Sequence, residues 1–397
     1  MRDKRRLEDL ALFGGPQLFD RPAHVGSPAL GNRERFLARV NHILDAGWLT
    51  NNGRCVQELE ERISGLLGVR HCVAVSSGTL ALEIAIRAAG LQGEVLVPAF
   101  TFVATAHAVE WSGLTPVFCD VDPRTHTLAP ELAEDLITDR TTAIMAVHLW
   151  GRPCAVDQLA HIAQAHGLSL LFDAAHAFAV SHGARMVGGF GDAEAFSFHA
   201  TKFFHTLEGG AITTNNDELA RKARLMRNFG LSAPDRVELL GTNGKMNEVS
   251  AAMGLTLLED IEGLVEWNLR NYRTYTAELD GIPGISLYSH DNQGSHNYQY
   301  IVVEVDPQAA GVNRDQMVPL LRAEHVLARR YFYPGCHRLE PYSTQRQWHL
   351  PNTDRLAERV LVLPTGTAVA PHEAAAICAF LRYVVEHAGE IRARLAE

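Results

Sequence analysis

The sequence of 397 residues lacks several features that mark special classes of protein. It has no apolar run long enough to span a bilayer, and no apolar segment typical of a secretory signal follows its charged start. A formal net charge of −10, with both signs interspersed, argues against a nucleic-acid-binding surface. Six widely spaced cysteines without a Cys-x-x-Cys pair argue against a zinc site or a disulfide framework. We therefore expect a cytoplasmic protein with reduced cysteines, without a bound metal and without a nucleic-acid or membrane partner.

Lysine is also scarce, and the sequence has only four: Lys4, Lys202, Lys222 and Lys245. Lys202 stands apart because it follows the apolar, strand-like segment Glu194–Phe198 and precedes the turn Glu208–Gly210. Surface lysines usually lie on helices among other charges. A lysine beside aromatic residues at a strand end can have a pKa low enough to make its amine a nucleophile at neutral pH. The alternative is an ordinary solvated loop lysine.

Short apolar segments alternate with helical patterns between about residue 71 and residue 215. The predicted strands are Cys72–Ser76, Glu94–Pro98, Thr115–Val121, Ala143–Leu149, Leu168–Asp173, Glu194–Phe198 and Ala211–Thr214. The predicted helices between them are Leu80–Ala89, Phe102–Trp111, Glu131–Ile137 and Val156–His166. Buried strands that alternate with helices predict an α/β fold with a mostly parallel sheet. Ligands in such folds bind at the carboxyl ends of the strands.

The composition changes after about residue 216, which predicts a smaller α+β domain. Predicted helices are Asp217–Asn228, one long helix Glu248–Arg273 with Gly263 as a possible break, Asp315–Glu324 and Pro371–Ala388. Predicted strands are His296–Val305 and Val360–Pro364. We expect a large domain over residues 30–260 and a small domain over residues 261–397, with residues 1–29 packed on the small domain.

Residues suited to a phosphate and a flat ring follow the predicted strands. The segment Ser76–Thr79 opens a helix, where hydroxyls and free N–H groups can bind a phosphate or simply cap the helix. Phe102 can stack on a ring or pack in the core. Asp173 can keep a pyridine nitrogen protonated or cap a helix, and Ser197 can bind phosphate or stay a strand serine. Together with Lys202, this order of groups describes a pyridoxal 5'-phosphate (PLP) site.

The segment Ser197–Lys202, followed by Glu208–Gly210, resembles the lysine motif of the DegT/StrS-type nucleotide-sugar aminotransferases. These are PLP-dependent enzymes of the type I, or aspartate aminotransferase, fold. The resemblance covers roughly residues 30 to 375, and further segments match in order and spacing: Gly47–Thr50 with Gly53, Ser76–Thr79, Pro98–Phe102, Asp173–His176, and Gly241–Asn243 with Lys245 and Met246. The family implies a large domain around a seven-stranded, mostly parallel sheet and a smaller α+β C-terminal domain.

The resemblance also implies a role for each matched residue. Lys202 would form the Schiff base with the cofactor and move the substrate proton, Asp173 would pair with the pyridine nitrogen, and Phe102 would stack on the ring. The other cofactor-binding residues implied are Ser77, Gly78, Thr79, His176, Ser197 and, from the partner subunit of a homodimer with shared active sites, Asn243. Substrate contacts would come from Trp48, His199 and His337, although each of these histidines can equally be structural.

Two positions depart from the family pattern. His176 stands where the family often has glutamine, so its contact with the cofactor can differ in kind. Lys245 stands where an arginine is common, and lysine cannot form the same bidentate contacts.

The resemblance implies transfer of an amino group from glutamate to a nucleotide-linked keto sugar. The expected acceptor is C4 of dTDP-4-keto-6-deoxyglucose, and the alternatives are C3 of a dTDP-3-keto-6-deoxy sugar or a non-catalytic PLP-binding regulator. A dehydratase of the same family would have histidine in place of Lys202. A desulfurase would need a cysteine in a mobile loop, which the sequence does not suggest.

Overall fold

A computed structural model of the chain describes residues 4–290, 294–344 and 347–396. The α-helices are α1 (Arg33–Ala46), α2 (Arg54–Leu67), α3 (Gly78–Ala88), α4 (Ala104–Trp111), α5 (Pro130–Glu134), α6 (Val156–His166), α7 (Asp217–Met226), α8 (Glu248–Leu258), α9 (Ile261–Leu279), α10 (Pro307–Ala310), α11 (Arg314–Ala323), α12 (Glu340–Ser343), α13 (Pro351–Arg359), α14 (Pro371–Glu386) and α15 (Ala388–Leu395). Short 3-10 helices are Leu7–Asp9, Ala11–Phe13, Leu149–Gly151 and Cys336–Arg338. Within the described ranges, no helix is long and apolar enough to cross a membrane.

Several of the strands are only two or three residues long. They are β1 (Ala23–His24), β2 (His71–Val75), β3 (Glu94–Pro98), β4 (Thr115–Cys119), β5 (Thr141–Val147), β6 (Ser169–Asp173), β7 (Ser181–His182), β8 (Arg185–Met186), β9 (Ala193–Ser197), β10 (Gly210–Thr214), β11 (Leu231–Ala233), β12 (Arg236–Val237), β13 (Ile285–Leu287), β14 (Ile301–Val305), β15 (Val326–Leu327) and β16 (Val360–Leu363).

The central sheet contains seven strands in the described part of the chain, in the order β2-β10-β9-β6-β5-β3-β4. β10 runs antiparallel to β2 and β9, and the other neighbours are parallel. Each strand overlaps one of the predicted strands, so the predicted α/β fold with a mostly parallel sheet is confirmed. Apolar side chains from both faces of the sheet are buried under helices, which explains why its strands are nearly continuous apolar runs.

The topology brings three chemically important strand ends to one edge of the sheet. β2, β6 and β9 all run in the same direction, because β10 is antiparallel to both of its neighbours. β2 leads into α3, β6 ends at Asp173, and β9 ends at Ser197 shortly before Lys202. The predicted phosphate turn, acid and lysine are therefore neighbours in space.

A second apolar core lies in the C-terminal part around the antiparallel sheet β13-β14-β16. The N-terminal segment packs on it, since the backbone N–H groups of Ala11 and Leu18 both donate to the carboxylate of Glu324 at 2.7 Å. β1 pairs with β15, and the ammonium of Lys4 lies 2.8 Å from the same carboxylate. The domain boundary at residues 260 and 261 stays a prediction.

The predicted long helix Glu248–Arg273, with Gly263 as a possible break, is corrected by the structure: the chain forms α8 and α9, and the break lies at Glu259 and Asp260. Gly263, the suggested break, lies inside the first turn of α9. A Cβ atom on Gly263 would lie 2.4 Å from Oδ1 of Asp260. Gly263 thus leaves room for the carboxylate that folds over the start of the new helix.

The predicted strand His296–Val305 is shorter in the structure, where β14 begins at Ile301. The side chains before it bind loops of the large sheet instead. Asn297 Nδ2 and Gln299 Nε2 both donate to the carbonyl of His176, at 2.9 and 2.6 Å. This segment therefore contacts the loop after β6 and does not extend the small sheet.

Candidate active site

A cavity of about 340 Å³ opens at the carboxyl edge of the central sheet. Its volume is in the range of small-molecule sites. It brings together most of the predicted site residues: Ser77, Gly78, Thr79, Phe102, Asp173, His176, Ser197, His199 and Lys202. Motifs that are far apart in the sequence thus line one cavity, as their order along the chain predicts.

Lys202 lines this cavity, and its amine has a neutral neighbour. Nζ donates a hydrogen bond to the hydroxyl of Tyr300 at 3.1 Å. Burial lowers the pKa of Lys202 to about 8, while the negative charge of Asp173 acts in the opposite direction. Since the neutral amine is the nucleophile, about a tenth of Lys202 is reactive at pH 7, far more than for a lysine with an ordinary pKa.

The carboxylate of Asp173 is buried at the end of β6 and held by two donors. The hydroxyl of Thr105 donates to Oδ2 at 2.8 Å, and the backbone N–H of Ala175 donates to Oδ1 at 3.0 Å. Burial raises the pKa of Asp173, and these two hydrogen bonds counteract part of that rise. The carboxylate is therefore fixed in orientation and can accept a further hydrogen bond from a cationic N–H group.

The start of α3 forms a cradle for an anion against the end of β9. Ser77 caps the helix, and its Oγ accepts from the backbone N–H of Leu80 at 3.2 Å. A Cβ atom on Gly78 would lie 2.6 Å from Cβ of Ser197, so only glycine permits this close approach. The first N–H groups of the helix have no partner within it, and with the hydroxyls of Thr79 and Ser197 they form a site suited to a phosphate.

His176 is a neutral histidine in the cavity wall. Burial lowers its pKa well below the usual range, and the positive charge of Lys202 adds to this effect. Nδ1 faces the backbone N–H of Trp150 at 3.4 Å, which leaves the ring proton on Nε2. The ring centroid lies 4.4 Å from that of Tyr300.

These groups fit PLP: an anion cradle, a fixed carboxylate and an amine of lowered pKa surround one cavity. The model of the DegT/DnrJ/EryC1/StrS aminotransferase family matches residues 31–382. The chain belongs to this family. It is a PLP-dependent aminotransferase, as the sequence predicted.

Known relatives of this aminotransferase act on sugars. It is 36% identical to the dTDP-4-amino-4,6-dideoxy-D-glucose transaminase of Shigella dysenteriae, over 94% of this chain and all of that protein. It is 34% identical to the transaminase of the same name from Escherichia coli, over 88% of this chain and 95% of that protein. The crystal structure of DesI in the presence of its TDP-sugar product superimposes with a TM-score of 0.95, at 47% identity, and covers 99% of this chain and 100% of that one.

Three residues predicted from the resemblance lie outside the cavity. Trp48 is 59% exposed on the loop after α1. Asn243 accepts a hydrogen bond from Nζ of Lys245 at 2.7 Å. His337 is buried, and its Nε2 lies 3.0 Å from a carboxylate oxygen of Asp354, which favours the structural alternative for this histidine.

The sequence interpretation also missed residues of the cavity wall. Tyr300, Tyr331 and Phe332 come from the C-terminal part of the chain. Thr105 of α4, which does not line the cavity but binds the Asp173 carboxylate, was missed as well. Tyr331 and Phe332 lie only a few residues before His337, which the resemblance predicts as a substrate contact. Their closeness in sequence to His337 is the feature that could have indicated Tyr331 and Phe332.

Proposed function

We propose that this aminotransferase transfers the amino group of glutamate to C4 of dTDP-4-keto-6-deoxyglucose. The support is its likeness, over 88–94% of the chain, to proteins named for this chemistry. These are two dTDP-4-amino-4,6-dideoxy-D-glucose transaminases at 36% and 34% identity. DesI, with its TDP-sugar product, is a still more similar structural relative at 47% identity.

The residues of the cavity would divide the work of binding PLP. The phosphate would lie on the start of α3, bound by Ser77, Gly78, Thr79 and Ser197. The Asp173 carboxylate would accept a hydrogen bond from the pyridine nitrogen. When bound, PLP withdraws electrons from the carbon that carries the transferred amino group.

Lys202 would attach the cofactor and later act as the base and acid at the reacting carbon. Its pKa of about 8 suits both roles, because a group that exchanges protons near the working pH does so efficiently in either direction. The hydroxyl of Tyr300 holds Nζ in place. Nε2–H of His176 would serve as a donor in place of the side-chain amide that glutamine offers in other family members.

We further propose that the enzyme acts as a homodimer with shared active sites. Trp48, Leu49, Phe229 and Leu240 are apolar side chains with 49–79% of their surface exposed. The two segments that carry them are neighbours, because Leu49 accepts a hydrogen bond from the N–H of Glu248 and Arg227 donates to Asn52. A concentration of exposed apolar side chains is typical of a protein–protein interface. Asn243 lies in the same region and would reach the partner's phosphate site.

The test is amino transfer from glutamate to matched dTDP-linked 3-keto and 4-keto 6-deoxy sugars, with products identified by mass and NMR. We expect turnover of the 4-keto sugar, and the Lys202→Ala variant should fall by several orders of magnitude while it stays folded. Turnover of the 3-keto sugar alone would move the reaction to C3. Turnover of neither, with no change of cofactor absorbance on addition of glutamate, would contradict the proposal.

A further inference from the structure

The indole of Trp150 lies directly behind the wall of the active-site cavity. Trp150 follows β5, is fully buried and is not one of the described residues that line the cavity. Its ring stacks on that of His176, with the centroids 5.8 Å and the planes 25° apart, and it contacts the ring of Tyr300 edge-on at 5.5 Å. The backbone N–H of Trp150 also faces Nδ1 of His176 at 3.4 Å. Trp150 therefore touches two residues of the cavity wall, and one of them binds Nζ of Lys202.

A hydrogen bond to His126 fixes the rotation of this indole. Nε1–H of Trp150 donates to Nδ1 of His126 at 3.2 Å. An indole N–H can only donate, so Nδ1 carries no proton in this bond and the ring proton is on Nε2. Nε2–H of His126 then donates to a carboxylate oxygen of Glu304 at 3.2 Å, and the other oxygen accepts from Nη1 of Arg355 at 3.1 Å. The chain of hydrogen bonds from Trp150 to Glu304 thus runs in one direction.

This chain ties the indole to separate parts of the fold. His126 lies in the loop between β4 and α5, Glu304 lies on β14, and Arg355 lies on α13. His126 is 1% exposed, so water does not compete for the indole N–H. The backbone of Trp150 has a φ of 60°, a left-handed conformation that a bulky residue rarely adopts. Such a conformation persists where the surrounding contacts hold it, and it is common at functional sites.

We propose that Trp150 is a positioning residue for transamination and that His126 orients it. The oriented indole keeps the ring of His176 and the phenol of Tyr300 in place, and through Tyr300 it keeps Nζ of Lys202 within reach of the reacting carbon. A buried indole N–H without an acceptor is unfavourable, so without His126 the ring would turn toward another acceptor and away from its two neighbours. The inference applies to this aminotransferase whichever keto sugar it uses.

The experiment compares His126→Phe and Trp150→Phe with the wild type. His126→Phe keeps an aromatic ring but removes the acceptor, and Trp150→Phe removes the donor. Two quantities are measured on the PLP-loaded enzyme: the circular dichroism of the cofactor band, which reports how firmly the cofactor is oriented, and the single-turnover rate with saturating glutamate. We expect each variant to lose about half of the dichroism and to react about tenfold more slowly, with less than about a twofold change in the glutamate concentration that gives half of the maximal rate.

Tyr288→Phe is the control that separates orientation from stability. Its ring lies 4.9 Å from that of His126, and its hydroxyl donates to the backbone carbonyl of Thr125. The loss of this hydrogen bond should lower the melting temperature. The hydrogen bond between Trp150 and His126 stays intact, so the dichroism and the single-turnover rate should stay at the wild-type values.

The double variant His126→Phe/Trp150→Phe decides whether the two residues act together. If His126 acts only through the indole, the double variant should react about as fast as Trp150→Phe alone. Losses that multiply to about a hundredfold would show that His126 acts separately, and would overturn the inference. Wild-type dichroism and rate in both single variants would show that Trp150 only fills the core. If one single variant does not fold, the dichroism of the other decides. A wild type that does not react with glutamate would contradict the proposed donor, while the dichroism would still test the positioning.

Discussion

At the scale of single residues, the site depends on how its charges are solvated. An ammonium group that lines a cavity loses the hydration that stabilises its charge, so the pKa of Lys202 falls. A carboxylate placed directly against it would reverse that fall. The hydrogen-bond partner of Nζ is instead the neutral phenol of Tyr300, and Asp173 is occupied by Thr105 and Ala175.

The lowered pKa predicts how the enzyme without cofactor takes up PLP as pH changes. Covalent attachment needs the neutral amine of Lys202, whose fraction rises about tenfold per pH unit below a pKa of about 8 and is nearly complete above it. Stopped-flow absorbance should therefore give an attachment rate that rises to about pH 8 and then levels off. A rate that keeps rising to pH 10 would mean an ordinary, solvated lysine.

Tyr300→Phe should shift this pH profile and slow turnover. The phenol accepts a hydrogen bond from Nζ, which favours the charged amine, so its loss should lower the pKa of Lys202 and move the rise to lower pH. We expect kcat to fall about tenfold, since Nζ loses its fixed position. Tyr288→Phe, which removes a hydroxyl bonded to the carbonyl of Thr125, is the control and should leave the profile in place. An unchanged profile in Tyr300→Phe would show that the phenol only fills space.

At the scale of elements, the fit between α3 and β9 makes the anion cradle. The helix starts one residue after Ser77, and Gly78 lets its first turn lie directly against Ser197. Gly210 of β10 is equally restricted, because a Cβ atom there would lie 2.7 Å from the backbone nitrogen of Gly78. The anion site is therefore a contact between elements and not a property of one loop.

Gly78→Ala should weaken PLP binding more than it weakens folding. The new methyl group would meet Ser197 and push the helix start away from the strand. We expect at least tenfold weaker PLP affinity and a loss of about 1–3 kcal/mol in the free energy of unfolding. The control is Gly65→Ala inside α2, where a Cβ atom meets nothing within 4 Å. Gly65→Ala should stabilise the fold by about 0.5–1 kcal/mol without changing PLP affinity. Cofactor absorbance measures the affinity, and a Gly78→Ala protein that binds PLP as tightly as the wild type would contradict the prediction.

The sequence predicted elements better than it predicted their contacts. The seven strands of the central sheet were readable because buried parallel strands are short apolar runs between helices. The break between α8 and α9 was placed at Gly263, because a carboxylate at Asp260 that folds over the next turn leaves no pattern in a single sequence. Lys202 and Asp173 could be predicted from their motifs, because each follows a strand of the central sheet and the topology brings these strand ends together.

At the scale of the whole molecule, the site joins distant parts of the chain. Tyr300 and Tyr331 lie about 100 residues or more beyond Lys202, after the predicted boundary of the large domain. Local patterns carry no information on such contacts, which explains why these residues were missed. Trp48 and Asn243, in contrast, were predicted but lie outside the cavity of a single chain. A homodimer would account for both, because a partner subunit can bring them to the site.

Mixing two inactive variants tests whether the active site is shared. Lys202→Ala and Asn243→Ala proteins, each with little activity alone, are combined, dissociated mildly and allowed to reassociate. If Asn243 serves the partner's site, each hybrid dimer has one site with both groups intact, so random pairing should restore about a quarter of wild-type activity. Lys202→Ala mixed with Asp173→Asn is the control and should restore nothing, because both residues belong to the same subunit's cavity. Equal failure of both mixtures, or a fully active monomer in sedimentation, would place Asn243 outside any shared site.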